Sequence, residues 1–290
     1  MNYSHNVISA FLLTATLVSC AGYSIAEEIQ NKDEQKEDNK NSRDGYYLSI
    51  GAGYRNHESP GFGEINGLQV VFKGRYQWKG LFAELAINPT SAKSLPAVGY
   101  NFYSTDHWNL DLIGAGTAER VQFNYQVDGE TKYISSESPR GVGFRAIGSW
   151  GNTVLQLVAL PYFHEDFQSN SAVDYASLWL GHRWQIKNWS VNGLIGAKYR
   201  SSGLMNYHLG VGENEADEVL DAYEPASGID YTAQIDLTYP VSKNILFQIY
   251  SRGTIYSDEF LNSSMVELVR VRGDRPEKGQ EFGVLLNYVF

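Results

Sequence analysis

The feature that most constrains this chain is a strict two-residue alternation of apolar and polar side chains. It is clearest in GIDYTAQIDLTYPVSKN, from Gly228 to Asn244, where isoleucine, tyrosine, alanine and leucine alternate with aspartate, threonine and glutamine. Successive side chains of a β-strand point to opposite faces, so this stretch predicts a strand with one apolar and one polar face. The alternation recurs at 68–78, 189–200 and 280–290. It predicts an all-β chain, but a soluble sandwich shows the same pattern.

The connections between the predicted strands alternate in length. Lys79 alone, GN at 151–152 and KN at 187–188 are very short, whereas the intervening connections are longer, up to the segments 121–139, 203–227 and 258–279. Outer-membrane barrels have short periplasmic turns, longer extracellular loops and an even number of strands. We therefore predict an antiparallel transmembrane β-barrel of about 12 strands over residues 46–290. The predicted strands are 46–55, 68–78, 80–88, 95–104, 108–120, 140–150, 153–164, 173–186, 189–200, 228–239, 245–257 and 280–290.

The tryptophans provide an independent test of this topology. Aromatic side chains gather at the membrane–water interface, and therefore at one end of the strands of a barrel. Five of the six tryptophans lie beside predicted short turns, and only Trp179 lies mid-strand. A soluble core gives no reason for this placement. The predicted membrane-interface belt consists of Trp78, Trp108, Trp150, Trp184, Trp189, Tyr239 and Phe290.

In such a barrel the apolar rows face lipid and the polar rows face the lumen. Ions inside a narrow barrel need partners, because an unpaired buried charge is costly. A lumen of this strand number is wider than that of a packed eight-stranded barrel and narrower than that of an open porin. Two interpretations remain open, a polar network that fills the lumen and a selective pore or ligand cavity. The predicted luminal ions are Lys73, Arg75, Asp111, Arg145, Lys198, Arg200, Asp230, Asp236, Arg252 and Glu281.

The N-terminal residues carry an export signal. The apolar run from Val7 to Val18 and the small residues after it predict a signal peptide over 1–26, cleaved after Ala26, with lipidation at Cys20 as the alternative. Cleavage after Ala26 leaves no cysteine, and therefore no disulfide or thiolate site. Residues 27–45 are almost wholly polar and charged, which predicts a disordered periplasmic tail. The expected location is the outer membrane of a Gram-negative cell.

Charge and spacing disfavour several function classes. The net charge of -10 argues against a nucleic-acid partner. The acidic segment 213–224 lacks the spacing of an EF-hand loop, and the histidines lie far apart in the strand map, so no metal site or cofactor is predicted. His57 and Ser59, in the predicted loop 56–67, lack a predicted orienting residue and oxyanion hole. No catalytic residue is predicted.

The chain resembles the MipA/OmpV family of outer-membrane proteins, most clearly in its C-terminal third. The similar segments are YHLGV from Tyr207, AYEPASGID, AQIDLTYPVSKN, YSDEFLNSSMVE and the closing FGVLLNYVF. Asp258, Ser263 and Val266 match an Asp-x-x-x-x-Ser-x-x-Val segment of that family. The first predicted loop departs from the family's pattern.

The resemblance implies a function without catalysis. One implied role is a scaffold that links a lytic transglycosylase, a murein hydrolase, to a murein synthase at the outer membrane. The other is a surface-exposed adhesin or immunogenic protein. Expected partners are these murein enzymes, outer-membrane lipid, and the barrel-insertion machinery, which recognises a terminal strand ending in an aromatic residue such as Phe290. A small selective channel is the alternative from the transport class.

Overall fold

The computed structural model describes residues 44–60, 63–116, 121–136, 139–161, 174–273 and 276–290. The signal peptide and nearly all of the predicted tail lie outside these residues. Processing at Ala26 or at Cys20 therefore stays a prediction.

The described residues form fourteen strands and three helices. The strands are β1 (Gly45–Ser59), β2 (Gly63–Trp78), β3 (Leu81–Ile87), β4 (Ala97–Ser104), β5 (Trp108–Gly116), β6 (Val121–Val127), β7 (Glu130–Ser136), β8 (Arg140–Trp150), β9 (Thr153–Pro161), β10 (Asp174–Ile186), β11 (Trp189–Arg200), β12 (Gly228–Pro240), β13 (Ile245–Ile255) and β14 (Lys278–Val289). The helices are α1 (Ser202–Leu209), α2 (Asp258–Leu261) and α3 (Ser264–Gly273).

Twelve of these strands close into one antiparallel barrel, in the order β1-β14-β13-β12-β11-β10-β9-β8-β5-β4-β3-β2. Strand β1 closes it, because Ser49 lies opposite Val289 of β14 on one side and opposite Lys73 of β2 on the other. The remaining strands, β6 and β7, form a separate hairpin between β5 and β8. The all-β, twelve-stranded antiparallel barrel predicted from the sequence is confirmed.

The two ends of the barrel differ in their connections. At one end, which we call the turn end, tight turns join β2 to β3, β8 to β9 and β10 to β11, and the last strand ends beside the first. Lys79 and Gly80 have φ angles of 48° and 83°, the left-handed pair that a two-residue hairpin turn requires. The opposite end, the loop end, carries the longer connections and the three helices.

The first predicted loop is largely strand. Asn56 pairs with Asn66, and Ser59 with Gly63, so the β1–β2 ladder runs far beyond the predicted strand ends. The prediction that His57 and Ser59 lie in a loop is therefore wrong. Cross-strand pairing holds this polar stretch in extended conformation although its composition is typical of a turn.

Burial along the strands separates an apolar outer face from a polar inner face. In β12, Ile229, Tyr231 and Ile235 are 44%, 57% and 48% exposed, whereas Asp230 and Asp236 are 1% and 9% exposed. An apolar outer row with a polar inner row is the arrangement of a barrel whose outer surface meets lipid. The apolar residues of the alternating pattern therefore lie on the outer face of the barrel wall, and the polar residues lie on its inner face.

The long connections at the loop end contain ordered elements that the sequence prediction left as loops. Segment 121–139 holds β6 and β7, joined at Asp128 and Gly129 with φ angles of 52° and 82°. Segment 203–227 overlaps α1, whose cap is Ser201, and segment 258–279 holds α2 and α3. No helix among the described residues is long and apolar enough to cross a membrane.

These elements pack together into a small apolar core, and we call the assembly of β6, β7, α1, α2, α3 and segment 210–227 the outer cap. Helix α1 contacts β10 and β11, α2 contacts β12, and α3 contacts β2. The outer cap therefore touches strands on different sides of the barrel mouth. Its buried side chains are Tyr125, Met205, Leu209, Val211, Leu220, Phe260, Met265 and Val266.

Candidate functional site in the barrel lumen

Four charged side chains form what we call the central ion cluster in the lumen. Arg145 of β8 donates to the Glu84 carboxylate through Nη1 and Nη2, at 2.5 and 3.0 Å. Its Nε and Nη2 lie 2.9 and 2.8 Å from Asp111 Oδ2. Arg75 Nη1 donates to Glu84 Oε1 at 2.6 Å. Two guanidinium groups thus neutralise two carboxylates, and both carboxylates are almost fully buried.

Strand pairing explains why these four side chains meet. Glu84 lies opposite Arg75 in the β2–β3 ladder, and Asp111 lies opposite Arg145 in the β5–β8 ladder. Directly opposed residues share a face of the sheet and lie close enough for their side chains to interact. The ring of Phe82 lies against both guanidinium groups, with its centroid 4.8 Å from Arg75 and 5.1 Å from Arg145. This aromatic face gives the arginines an additional cation–π contact.

The connection from β3 to β4 turns into the lumen, and we call residues 88–96 the inward loop. Asn88, with a left-handed φ of 50°, follows the last residue of β3. Thr90 is only 1% exposed, and its hydroxyl accepts a hydrogen bond from Lys73 Nζ at 2.7 Å. Its carbonyl accepts one from Gln234 Nε2 of β12 at 2.7 Å. Opposite sides of the lumen therefore hold Thr90 between them.

Three further contacts anchor the inward loop. The backbone N–H of Ala92 donates to Gln234 Oε1 at 2.9 Å, and Gln156 Nε2 of β9 donates to the Lys93 carbonyl at 3.1 Å. Leu95 packs against an apolar cluster of inward-facing side chains that includes Phe82. The loop thus crosses the lumen instead of extending outward. The sequence predicted one of the longer connections here but not its direction, which follows because small polar residues and one leucine match the amides and the apolar patch of the lumen.

A second ion cluster surrounds Glu281 of β14. Its Oε1 accepts hydrogen bonds from Tyr250 at 2.7 Å and from Arg252 Nη2 at 2.9 Å. His57 Nδ1 lies 3.1 Å from Oε2, and Arg55 Nε lies 3.6 Å from Oε1. The carboxylate therefore meets basic side chains from β1 and β13 together.

The structure places all ten predicted luminal ions on the inner face of the wall. The central ion cluster contains Arg75, Asp111 and Arg145, and the second ion cluster contains Arg252 and Glu281. Beside the inward loop lie Lys73 and Asp236. The remaining ions are Arg200, which lies 2.7 Å from Asp230, and Lys198, which is opposite Asp230 in the β11–β12 ladder.

Sequence reasoning missed Glu84, Arg55, His57, Thr90 and Lys93. The signal was present for Glu84, which occupies an inner position of the period-two pattern in LFAELAI. Arg55 is the last inner residue of the predicted first strand, and His57 continues that inner row beyond the predicted end. Thr90 and Lys93 lie in a stretch without periodicity, so no sequence signal marked them.

The predicted belt residues lie at the turn end, where two pairs of them contact each other and the other three contact neighbouring side chains. Trp179 differs: it is 1% exposed, and it packs inside the barrel over Gly196, where an added Cβ would come within 2.1 Å of its ring. The belt contacts, as centroid distances, are Trp108 with Trp150 at 5.2 Å, Trp189 with Tyr239 at 5.0 Å, Trp184 with His182 at 4.7 Å, and Phe290 with Tyr288 at 4.9 Å, while Lys79 Nζ lies 4.9 Å from the centre of the Trp78 ring.

Between the inward loop and the turn end lies a cavity of about 410 Å³, which we call the turn-end cavity. Its lining includes Tyr47 near the start of β1, Asn152 in the β8–β9 turn and Val289 at the end of β14. These positions place its mouth at the turn end.

Polar contacts tie the outer cap together on the other side. Asp217 Oδ2 accepts hydrogen bonds from Lys132 Nζ at 2.7 Å and from the Tyr125 hydroxyl at 3.0 Å, and Oδ1 accepts from the backbone of Val219 and Leu220. These bonds, with that from Lys132 the strongest, lower the pKa of Asp217 to about 2. The same bond raises the pKa of Lys132. The hairpin of β6 and β7 is thereby joined to segment 210–227.

A second contact joins that segment to α2. The Tyr223 hydroxyl donates to Glu259 Oε2 at 3.1 Å. Burial and this carboxylate raise the pKa of Tyr223 to about 12, so the phenol stays protonated and keeps donating at physiological pH.

His57 and Ser59, the one pair considered as base and nucleophile, each contact another residue: His57 Nδ1 lies 3.1 Å from Glu281 Oε2, and the Ser59 hydroxyl lies 3.3 Å from that of Tyr256. Within the described ranges, no group of three or more histidine, cysteine, aspartate or glutamate side chains is arranged to hold a metal ion. The described lumen holds buried paired charge, a loop that crosses it, and a cavity.

Among solved structures, several outer-membrane proteins are similar to this chain at low sequence identity. For OmpT of Vibrio cholerae, folded in vitro, the identity is 8%, the match covers 85% of this chain and 97% of that chain, and the TM-score is 0.40. For the NanC porin, the identity is 8%, the match covers 83% of this chain and 98% of that chain, and the TM-score is 0.42. For the outer-membrane channel DcaP of Acinetobacter baumannii, the identity is 12%, the match covers 84% of this chain and 96% of that chain, and the TM-score is 0.38. Among curated proteins, none matches the sequence of this chain.

A sequence profile of one protein family covers the whole barrel. The profile for "MltA-interacting protein MipA" matches residues 48–290, which include every barrel strand apart from the first residues of β1. With its closed wall, apolar outer row and aromatic belt, the protein is located in the outer membrane of Gram-negative bacteria, with the turn end facing the periplasm. The chain belongs to the MltA-interacting protein MipA family.

Proposed function

We propose that this protein is a non-enzymatic scaffold that holds murein-remodelling enzymes, a lytic transglycosylase and a murein synthase, at the periplasmic surface of the outer membrane. The family description names an interaction with MltA, which supports the first partner. The observation that carries the proposal is the inward loop. A barrel crossed by a loop that is anchored to several strands is suited to a static role better than to the passage of solutes.

Two other barriers in the lumen support a static role. The central ion cluster fills part of the cross-section with mutually bonded side chains, and breaking it open would leave buried charges without partners. The outer cap contacts strands on different sides of the mouth at the loop end. Solute passage would require these layers to move together.

The surface open to a periplasmic partner is the set of short turns at the turn end. Lys187 in the β10–β11 turn and Lys243 in the β12–β13 turn are both exposed. Trp189 lies between these turns in the chain, and its ring contacts Tyr239 at 5.0 Å. Turns held by such contacts are rigid before binding, which reduces the entropy lost on association.

The test measures binding between the purified barrel in lipid nanodiscs and an MltA-type lytic transglycosylase by biolayer interferometry. The double variant Lys187→Glu/Lys243→Glu reverses two charges on the proposed contact surface. We expect it to weaken binding by about tenfold or more, chiefly through electrostatic mismatch.

The matched control is Lys278→Glu, because Lys278 is an exposed lysine at the start of β14, at the loop end. This control should bind the transglycosylase as the wild type does. Absence of binding by the wild type, or equal binding by the double variant and the control, would overturn the scaffold proposal. The barrel alone should release no murein fragments.

The alternatives give different results. A selective channel produces conductance steps in planar bilayers from the wild-type protein, with amplitudes that change on Arg145→Ala or Asp236→Ala. An adhesin binds host-cell surfaces through the loop end, and Lys278→Glu then has more effect than the turn-end variant.

A further inference from the structure

The turn-end cavity has no part in the proposed scaffold role, and it has the features of a ligand site. Its volume of about 410 Å³ lies within the range of roughly 300–1,000 Å³ that small-molecule sites occupy. Strands from most of the barrel circumference contribute to its wall. A site on strands rather than on loops holds its polar groups in fixed positions.

The inward loop makes one end of this cavity, and the turn end makes the other. Thr90, Ser91 and Lys93 of the loop line the cavity on one side, whereas Asn152 and Val289 line it at the turn end. The Lys93 carbonyl is fixed by Gln156, and Thr90 by Lys73. A solute that enters from the periplasm therefore meets the inward loop.

The charge of the lining is basic although the chain as a whole is acidic. Lys73, Lys93 and Arg183 line the cavity, and Asp236 is the one acidic residue among the lining residues. Asp236 already accepts hydrogen bonds from Gln234 and from Gln248. The surplus of positive charge in the lining favours an anion.

Lys93 supplies a cation to the cavity wall. Lys73 Nζ donates to Thr90 Oγ1 at 2.7 Å, but no hydrogen bond or ion pair of the Lys93 ammonium occurs among the residues that the structure describes. An ammonium group has three donors to satisfy, and its hydrogen bonds to a carboxylate are about twice as strong as those between neutral groups. A carboxylate beside Lys93 would therefore bind better than a neutral group.

We propose that the turn-end cavity binds a small organic anion, a carboxylate that also carries several hydroxyl groups, entering from the periplasm. Lys93 and Lys73 take the carboxylate. The hydroxyl and amide side chains of Ser49, Asn192 and Thr238 line the same cavity and take the hydroxyl groups of the ligand. This inference is independent of the scaffold proposal, because it involves no protein partner.

The test uses D-gluconate as the probe and isothermal titration calorimetry of the purified barrel in detergent micelles. Sorbitol is the matched neutral compound, with the same carbon chain and a hydroxymethyl group in place of the carboxylate. Gluconate should bind, and sorbitol should bind at least about tenfold more weakly, since a charge-assisted hydrogen bond is worth a factor of this size or more.

Two variants locate the binding. Lys93→Met should weaken gluconate binding about tenfold or more, whereas Lys93→Arg should retain most of it because the charge remains. Lys278→Met, the same change on the outside of the barrel, should bind as the wild type does. Heat-modifiable gel migration shows that each variant is folded.

Three outcomes overturn the proposal. They are no binding of gluconate by the wild type, equal affinity for gluconate and sorbitol, and unchanged gluconate affinity in folded Lys93→Met. A failure of the transglycosylase to bind has no bearing on any of them.

Discussion

Replacing Arg145 with methionine is the sharpest test of the central ion cluster. The side chain is 5% exposed and makes hydrogen bonds to Glu84 and to Asp111. Methionine keeps most of the aliphatic length and removes all of these bonds. Glu84 then keeps Arg75 at 2.6 Å, and Asp111 keeps a hydrogen bond from Asn101 at 2.7 Å but no positive partner within bonding distance among the described residues.

The magnitude follows from what remains after the change. Removing one partner of a buried ion pair typically costs about 3–5 kcal/mol, because the other charge stays buried. Arg75 still neutralises Glu84 in the variant, whereas Asp111, at 2% exposed, loses its cation. We therefore expect a loss near the lower limit, about 3 kcal/mol in the free energy of unfolding.

The assay is urea unfolding of the barrel in lipid vesicles, followed by tryptophan fluorescence with reversibility checked by refolding. The matched control is Arg270→Met, because Arg270 lies 3.7 Å from Glu277, which is 70% exposed. Loss of an exposed pair costs less than about 1 kcal/mol. A second comparison is the triple variant Arg145→Met/Glu84→Gln/Asp111→Asn.

The triple variant distinguishes two causes of the lost stability: the loss of the attraction to Arg145, and the cost of leaving Glu84 and Asp111 buried as charges without it. If buried charge causes the loss, neutralising Glu84 and Asp111 should return part of the stability that Arg145→Met removes. The reasoning is refuted if Arg145→Met lowers the free energy of unfolding by no more than Arg270→Met does. It is also refuted if the triple variant is less stable than the single one.

Two further predictions concern the outer cap and the inside of the wall. The pKa of Asp217 is lowered to about 2 from 3.8, so the stabilisation of the outer cap by this carboxylate is complete above about pH 4 and lost as the pH falls through about 2. Hydrogen exchange of β6 and β7, corrected for intrinsic rates, should accelerate over this range, and Asp217→Asn should remove the pH dependence; the same dependence in that variant would contradict the assignment. In the wall, Gly196→Val should prevent formation of the heat-modifiable barrel, because its Cβ would lie 2.1 Å from Trp179, whereas Gly253→Val, where no atom lies within 4 Å, should assemble normally. Normal assembly of Gly196→Val would show that Trp179 can move aside.

The strands and their faces could be predicted from the sequence because side-chain direction in a strand is a local property. The alternation in β12 placed Asp236 on one face and Ile235 on the other, without knowledge of any neighbour. The same rule assigned Arg145 to the inner face. All twelve barrel strands were predicted, with errors only at the ends.

The pairing of the luminal charges could not be predicted, because it depends on strand order and register. Arg145 and Glu84 are 61 positions apart, and they meet only after the barrel has closed and β5 has paired with β8 across the inserted hairpin. That hairpin did carry a local signal, Asp128-Gly129 between alternating residues, which is typical of a two-residue turn.

The inward loop is the clearest case of a feature that local sequence does not encode. Its polar residues are ordinary loop residues, and their direction depends on acceptors and donors far away in the chain. Gln234, which bonds to Ala92, lies 142 positions from it, and Gln156 lies 63 positions from Lys93. A loop of this composition projects outward unless the lumen provides matching amides.

The inward loop also connects the two proposals at the turn end. It carries the proposal of a static barrel, and through Lys93 it lines the turn-end cavity. Asn152 belongs both to that cavity and to the β8–β9 turn, so a partner seated on the turns lies over the cavity mouth. Linkage then requires reciprocity: if a bound protein changes the affinity for gluconate, gluconate changes the affinity for that protein by the same factor. Such coupling between a solute and a murein enzyme would need no rearrangement of the barrel wall.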